Sequence, residues 1–211
     1  MPQQPNQVRI EKTKLLLAEG RDGELFLVWA CRTYRQQEDV QVVNFGGVNE
    51  LPTFLKTLSQ VENFDSVETL VIARDAESSA SSAADSIRGA LTGASLPVPV
   101  KPFSYASDGR MKVAFVIFPG PESVSGTLED LCLQIVRDDA IMPCVEEYIS
   151  CLRAKRPKQL LDHLGKRRMH TFLAGKEQQL IGATIGQASD RKAWDAEHPA
   201  LQAFRAVIES M

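Results

Sequence analysis

Little in this sequence points to thiolate, disulfide or membrane chemistry. Its four cysteines, Cys31, Cys132, Cys144 and Cys151, lie far apart, form no Cys-x-x-Cys pair and have no histidine at zinc-ligand spacing. That excludes the common structural zinc modules and a disulfide framework, so the thiols read as reduced and mostly buried. No stretch approaches the ~20 apolar residues a membrane span requires, and the polar residues 1–7 contain no apolar leader segment. The expectation is a cytoplasmic protein that meets no membrane. An excess of positive charge is missing too. The formal net charge is -3, which excludes a surface that is basic throughout and makes any contact with nucleic acid a local one. No repeat recurs at a fixed period.

What remains is a globular composition: 211 residues, 44% hydrophobic and 24% charged, enough for one well-buried core with a sizeable extension. Lys14 to Ala18 is a short apolar run ending in Glu19-Gly20, and from Asp22 onward Leu25, Phe26, Val28, Trp29 and Arg32 follow a helical period. Val40 to Phe45 is β-branched and stops at Gly46-Gly47, after which Asn49 fits the cap of a helix carrying Leu51, Phe54, Leu55 and Leu58. Val67 to Ala73 predicts a third strand, followed by an alanine-rich helix over Ser78 to Leu91. The proline-rich segment Ala94 to Pro102 reads as a connection, and Lys112 to Phe118 as the next strand. Ser125 then resembles an N-cap for a helix with Leu128, Leu131 and Ile135 on its buried stripe. Beyond Asp139 only helices are expected, over Met142 to Leu152, Lys158 to Leu173 and Ala200 to Ile208.

Strands alternating with helices predict an α/β fold: a mainly parallel central sheet of about four strands with helices on both faces. On this reading residues 1–139 form the α/β core and residues 140–211 a helical C-terminal extension packed on it. Right-handed crossovers bring every strand-to-helix loop to one sheet edge, where ligands bind in open α/β folds. Three acidic groups fall in such loops: Glu19, then Asp75 with Glu77, then Glu129 with Asp130. Gathered carboxylates repel one another unless a cation sits among them, and hard oxygen donors favour magnesium, manganese or calcium. Singly, each acid also has a structural reading: Asp75 as a helix cap, Glu129 as a complement to a helix dipole, Glu19 as an exposed turn residue.

Leu15-Leu16-Leu17-Ala18-Glu19-Gly20 followed by Ile72-Ala73-Arg74-Asp75-Ala76-Glu77 resembles the Toprim pattern of a strand-end glutamate followed by Asp-x-Asp. Gly46-Gly47, the segment Ser78 to Pro99, Gly126-Thr127-Leu128-Glu129-Asp130-Leu131-Cys132 and His198-Pro199-Ala200 extend the likeness. Together they resemble a bacterial and archaeal family of unassigned function with a Toprim-like core, related to the overcoming-lysogenization-defect nucleases. The resemblance implies magnesium- or manganese-dependent phosphoryl chemistry on nucleic acid, as a nuclease or related phosphotransferase. It implies Glu19 and Asp75 as catalytic groups, and Glu19, Asp75, Glu77, Glu129 and Asp130 as metal ligands, Glu129 matching the acid that helps hold a second ion in the nuclease branch. Two positions depart from the pattern: Gly23 stands where an acid is common, and Glu77 replaces the second aspartate. Asp22 and Glu24 flank the gap, and a single-ion site of Glu19, Asp75 and Glu77 tolerates it. The alternative is a catalytically weakened module that binds nucleic acid, a nucleotide or a partner protein.

One local patch is strongly basic. Arg153, Lys155, Arg156, Lys158, Lys166, Arg167 and Arg168 face only Asp162 among them, enough to contact several phosphates. No aromatic residue is interleaved for base stacking, so a solvated helix surface is the competing reading. His163 and His170 read as surface histidines, and Trp29 and Trp194 as packing residues.

Overall fold

The computed structural model describes residues 8–156 and 163–211. Five strands, β1 (Lys14–Glu19), β2 (Val40–Gly46), β3 (Thr69–Asp75), β4 (Tyr105–Ser107) and β5 (Lys112–Phe118), form one sheet in the order β2-β1-β3-β5-β4. β1 pairs in parallel with both β2 and β3, and β3 in parallel with β5; only β4 runs antiparallel, along β5. The sheet thus has one strand more than expected. The addition is β4, three residues long and half-buried to exposed, too short to show an alternating pattern.

Eight α-helices follow among the described residues: α1 (Gly20–Thr33), α2 (Leu51–Leu58), α3 (Ala80–Gly93), α4 (Leu128–Ile135), α5 (Met142–Lys155), α6 (Leu164–Lys176), α7 (Ile185–Asp190) and α8 (Gln202–Glu209). None is long and apolar enough to cross a membrane. β1, β3 and β5 are buried on both faces, which is why they read as continuous apolar runs. Leu15, Leu17, Leu70, Ile72 and Phe115 point into a cluster shared with α2 and α3. Leu16, Ala18, Val71, Val116 and Phe118 point the other way, into a cluster shared with α1 and with α4 through α8. Truncating a fully buried leucine in either layer, such as Leu16 or Leu17, costs ~2–5 kcal/mol.

The helices after Asp139 belong to the second layer. Phe204 on α8 packs on Phe26 and Phe118 with ring centroids 5.8 and 5.7 Å away, the Tyr105 hydroxyl donates to the Val207 carbonyl at 2.9 Å and the Tyr34 hydroxyl to that of Ala196 at 3.0 Å. Trp29 and Trp194 are buried packing residues as expected. The cysteines divide: Cys31 and Cys132 are buried, whereas Cys144 and Cys151 on α5 are exposed, against the expectation of mostly buried thiols.

Two caps differ from the sequence reading. Before α2 a 3-10 turn over Val48–Glu50 intervenes, with the Gly47 N–H donating to the Glu50 carboxylate at 3.2 Å, so Asn49 is no cap. α4 starts after Thr127 rather than Ser125, because Asp130 supplies the reciprocal partner of a capping box. The helix expected from Lys158 is described from Leu164; Lys158 lies outside the described residues.

Candidate functional site

The chain leaves β1 for β2 on one side and returns past it to β3 on the other, so the sheet has its switch point between β1 and β3. Strand-end loops diverge there and leave a crevice. Glu19 ends β1 and Asp75 ends β3, on either side of it. A cleft of about 560 Å³ lies at this point, lined among others by Glu19, Asp22, Arg74, Asp75, Glu129 and Lys166. A second hollow of about 430 Å³ adjoins it and adds Glu77 and Asp130, with Asp75, Glu129 and Lys166 common to both. All five predicted acids therefore gather at one sheet edge.

Their surroundings differ. Glu19 occupies the N-cap position of α1 but makes no side-chain cap bond, which leaves its carboxylate to the cleft. Burial raises its pKa, opposed by the Arg74 guanidinium and the Asp75 backbone N–H and assisted by Glu77. Arg74 Nε stands 3.7 Å from Glu19 Oε2, both side chains largely buried. Neither atom has a hydrogen-bond partner among the described residues. Arg74 is held from its other end by Ser86, which accepts from Nη1 at 3.2 Å. Sequence reasoning passed over Arg74; the available signal was a charged residue inside a strand buried on both faces, which must find a partner.

Asp75 is the centre of the group. Its Oδ1 accepts the Leu128 N–H at 2.8 Å, tying the end of β3 to the start of α4. Burial above all, then the negative charges of Glu19 and Glu129, push its pKa up to about 8 against the pull of that N–H. Beneath it the buried Cys132 thiol is held well above its ordinary range by burial and by Glu129, Asp75 and Asp22. Glu77 is exposed, has a left-handed φ of 53°, and exchanges backbone hydrogen bonds of 2.9 and 2.8 Å with Gly126.

Other acids nearby are committed. Asp130 Oδ2 accepts from the Thr127 backbone N–H at 2.9 Å and its hydroxyl at 3.2 Å. Gly165 at the start of α6 packs against the same carboxylate so closely that an added Cβ would lie 2.7 Å from Oδ1. Asp22 Oδ1 accepts the Gly186 N–H at 3.3 Å, and a Cβ on Gly186 would meet Leu25 at 2.6 Å, so α7 seats tightly on α1. Glu24 turns away to Arg21 at 2.8 Å and Asn44 at 3.2 Å. Neither neighbour of Gly23 thus stands unengaged in the cleft. As the side chains are placed, no three His, Cys, Asp or Glu among the described residues form a group able to hold a metal ion.

The profile of one protein family matches residues 13–211. The chain belongs to DUF3226. The family is described as a protein of unknown function, so membership fixes the company this fold keeps without assigning a reaction to its cleft. No curated protein and no solved structure matches the chain.

The basic patch is partly drawn in. Arg168 pairs with Glu146 through contacts of 2.8 and 2.9 Å. Lys166 reaches the acid cleft. Arg153 and Lys155 lie in the last turn of α5 and Arg156 caps it, while Arg167, His163 and His170 line a separate groove.

Proposed function

We propose that the cleft is a Toprim-like, divalent-cation-dependent phosphoryl-transfer site, acting on nucleic acid as a nuclease or related phosphotransferase. The observation that carries this reading is the convergence of Glu19, Asp75 and Glu129 on one cleft, where burial above all, and then the neighbouring negative charges, raise the Asp75 pKa to about 8. Carboxylates that depress one another's ionisation form a donor set suited to a hard cation, and the buried Glu19 Oε2, paired in charge with Arg74 but without a hydrogen-bond partner among the described residues, is one such donor. When bound, magnesium or manganese would offset that repulsion and polarise a phosphate and its attacking water.

The chain's own residues divide the remaining work. The Leu128 N–H fixes one oxygen of Asp75 and leaves the other for ligation. Glu129 reaches the same space from the first turn of α4. With Asp75 deprotonated by a bound cation, Arg74 would balance one of three negative charges, which favours a single ion over two. Lys166 supplies positive charge at the rim, where a phosphate would arrive. Glu19, its pKa raised and its orientation set by Arg74, is placed to take or return a proton.

A second reading, a module that binds nucleic acid, a nucleotide or a partner without turnover, is favoured by the absence of a ready-made three-ligand group among the described residues. Calorimetric titration of manganese and magnesium into wild type and Asp75→Asn, followed by a nicking assay with the same ions, separates the two. Binding and cutting by wild type, both lost in the variant, supports phosphoryl transfer. A wild type that binds no ion at millimolar concentration overturns it.

A further inference from the structure

Between α5 and the start of α6 lies an open groove of about 430 Å³, lined by Tyr148, Leu152, His163, Lys166, Arg167 and His170. Tyr148 and Leu152 are four residues apart on one helix and share a face. Tyr148 is 51% exposed, an aromatic face left open to solvent among side chains that are cationic or neutral. Lys166 lines this groove, the acid cleft and the hollow beside it, so one cation borders all three. Although residues 153–168 contain no Phe, Trp or Tyr, the fold brings Tyr148 from the preceding turns of α5 beside Lys166 and Arg167.

We propose that this groove stacks an unpaired base of single-stranded nucleic acid on Tyr148, with Lys166 and Arg167 on the flanking phosphates, and leads the strand into the acid cleft. The volume falls in the range of small-ligand sites. An aromatic face beside cations is the combination that holds unstacked bases, whereas a duplex keeps its bases stacked inside and offers Tyr148 no face. The direction of the strand rests on the phosphoryl-transfer reading of the cleft; the groove itself does not, and can be tested without turnover.

The test is fluorescence polarisation with a labelled octanucleotide, its duplex and a mononucleotide, each in EDTA and in calcium. Wild type should prefer the single strand to both others. Tyr148→Ala should weaken single-strand binding about tenfold, Tyr148→Phe should restore it, and Lys166→Gln or Arg167→Gln should each lower the salt dependence by about 0.7 in log-log slope. Circular dichroism confirms that each variant is folded. Unchanged single-strand affinity in a folded Tyr148→Ala, a duplex or mononucleotide bound as tightly as the octanucleotide, or no binding in either condition overturns the assignment. Cation titration without nucleic acid is read separately, so loss of the cleft reading and loss of the groove reading are distinguishable.

Discussion

On the floor of the strand-end cleft, Asp75 takes one N–H from the start of α4 yet is dominated by burial and by the charges of Glu19 and Glu129, with Arg74 beside Glu19; on its rim, Asp22 accepts the Gly186 N–H at the start of α7 and Asp130 the Thr127 N–H at the start of its own helix. The residue type is the same, yet the floor concentrates charge that burial penalises, whereas the rim converts charge into helix caps that hold α4 and α7 in place. A protein selected only for stability would retain the rim and replace the floor with neutral side chains.

The strongest way to break this contrast is to neutralise one acid of each kind. Asp75→Asn should lower divalent-cation affinity by roughly 100-fold or more, whereas Asp130→Ala should leave it near the wild-type value in the same calorimetric titration. Equal losses would erase the distinction between floor and rim.

The next effect concerns stability in EDTA. The Asp75 pKa is raised from 3.8 to about 8 in the folded protein. Between those values the folded state holds a proton that the unfolded state has released, so this group's stabilising contribution is complete below about pH 4 and is lost as pH rises through about 8. Asp75→Asn keeps the oxygen that accepts the Leu128 N–H and removes the titration. Chemical denaturation should show it matching wild type near pH 4, exceeding it increasingly up to about pH 8 and by a constant margin above that, on the order of a few kcal/mol. A variant less stable than wild type at pH 8 would assign Asp75 to the rim.

Asp130→Ala should work in the opposite direction, costing ~1–2 kcal/mol through the lost cap, or roughly 2–8 °C in thermal midpoint. The smallest effect is expected at Arg21→Gln. Its ion pair with Glu24 joins an exposed arginine to a carboxylate outside the floor, and the midpoint should move by no more than ~0.5 kcal/mol in equivalent stability.

How much of this was legible depended on burial. β1, β3 and β5 read clearly because apolar side chains cover both of their faces, and the acids at their ends stood out by contrast. β4 was hidden because three residues on a sheet edge carry no periodicity, and α7 because Ile185–Asp190 contains Gly186, which weakens a helical pattern but is what lets the helix approach Leu25. The capping pair Thr127 and Asp130 was present as a Thr-x-x-Asp spacing, yet Ser125 also fits a cap, and only the geometry decides between them. That Asp22 meets the start of α7, and Asp75 both the start of α4 and the charges of Glu19 and Glu129, is a tertiary fact with no local signature.

The bond from Gly186 to Asp22 joins residues 164 apart in the chain, and that separation sets an order of events during synthesis. At ~5–20 residues per second, roughly 8–30 s pass between the emergence of the β1–α1 turn and that of the segment which seals it. β1, β2 and β3 can pair in that interval, while the wall formed by Thr184, Ile185 and Gln187 is made only after them. The nascent chain therefore carries Glu19 and Asp75 open and unwalled until the segment around Gly186 has been made, and only then can the cleft become a bounded chamber.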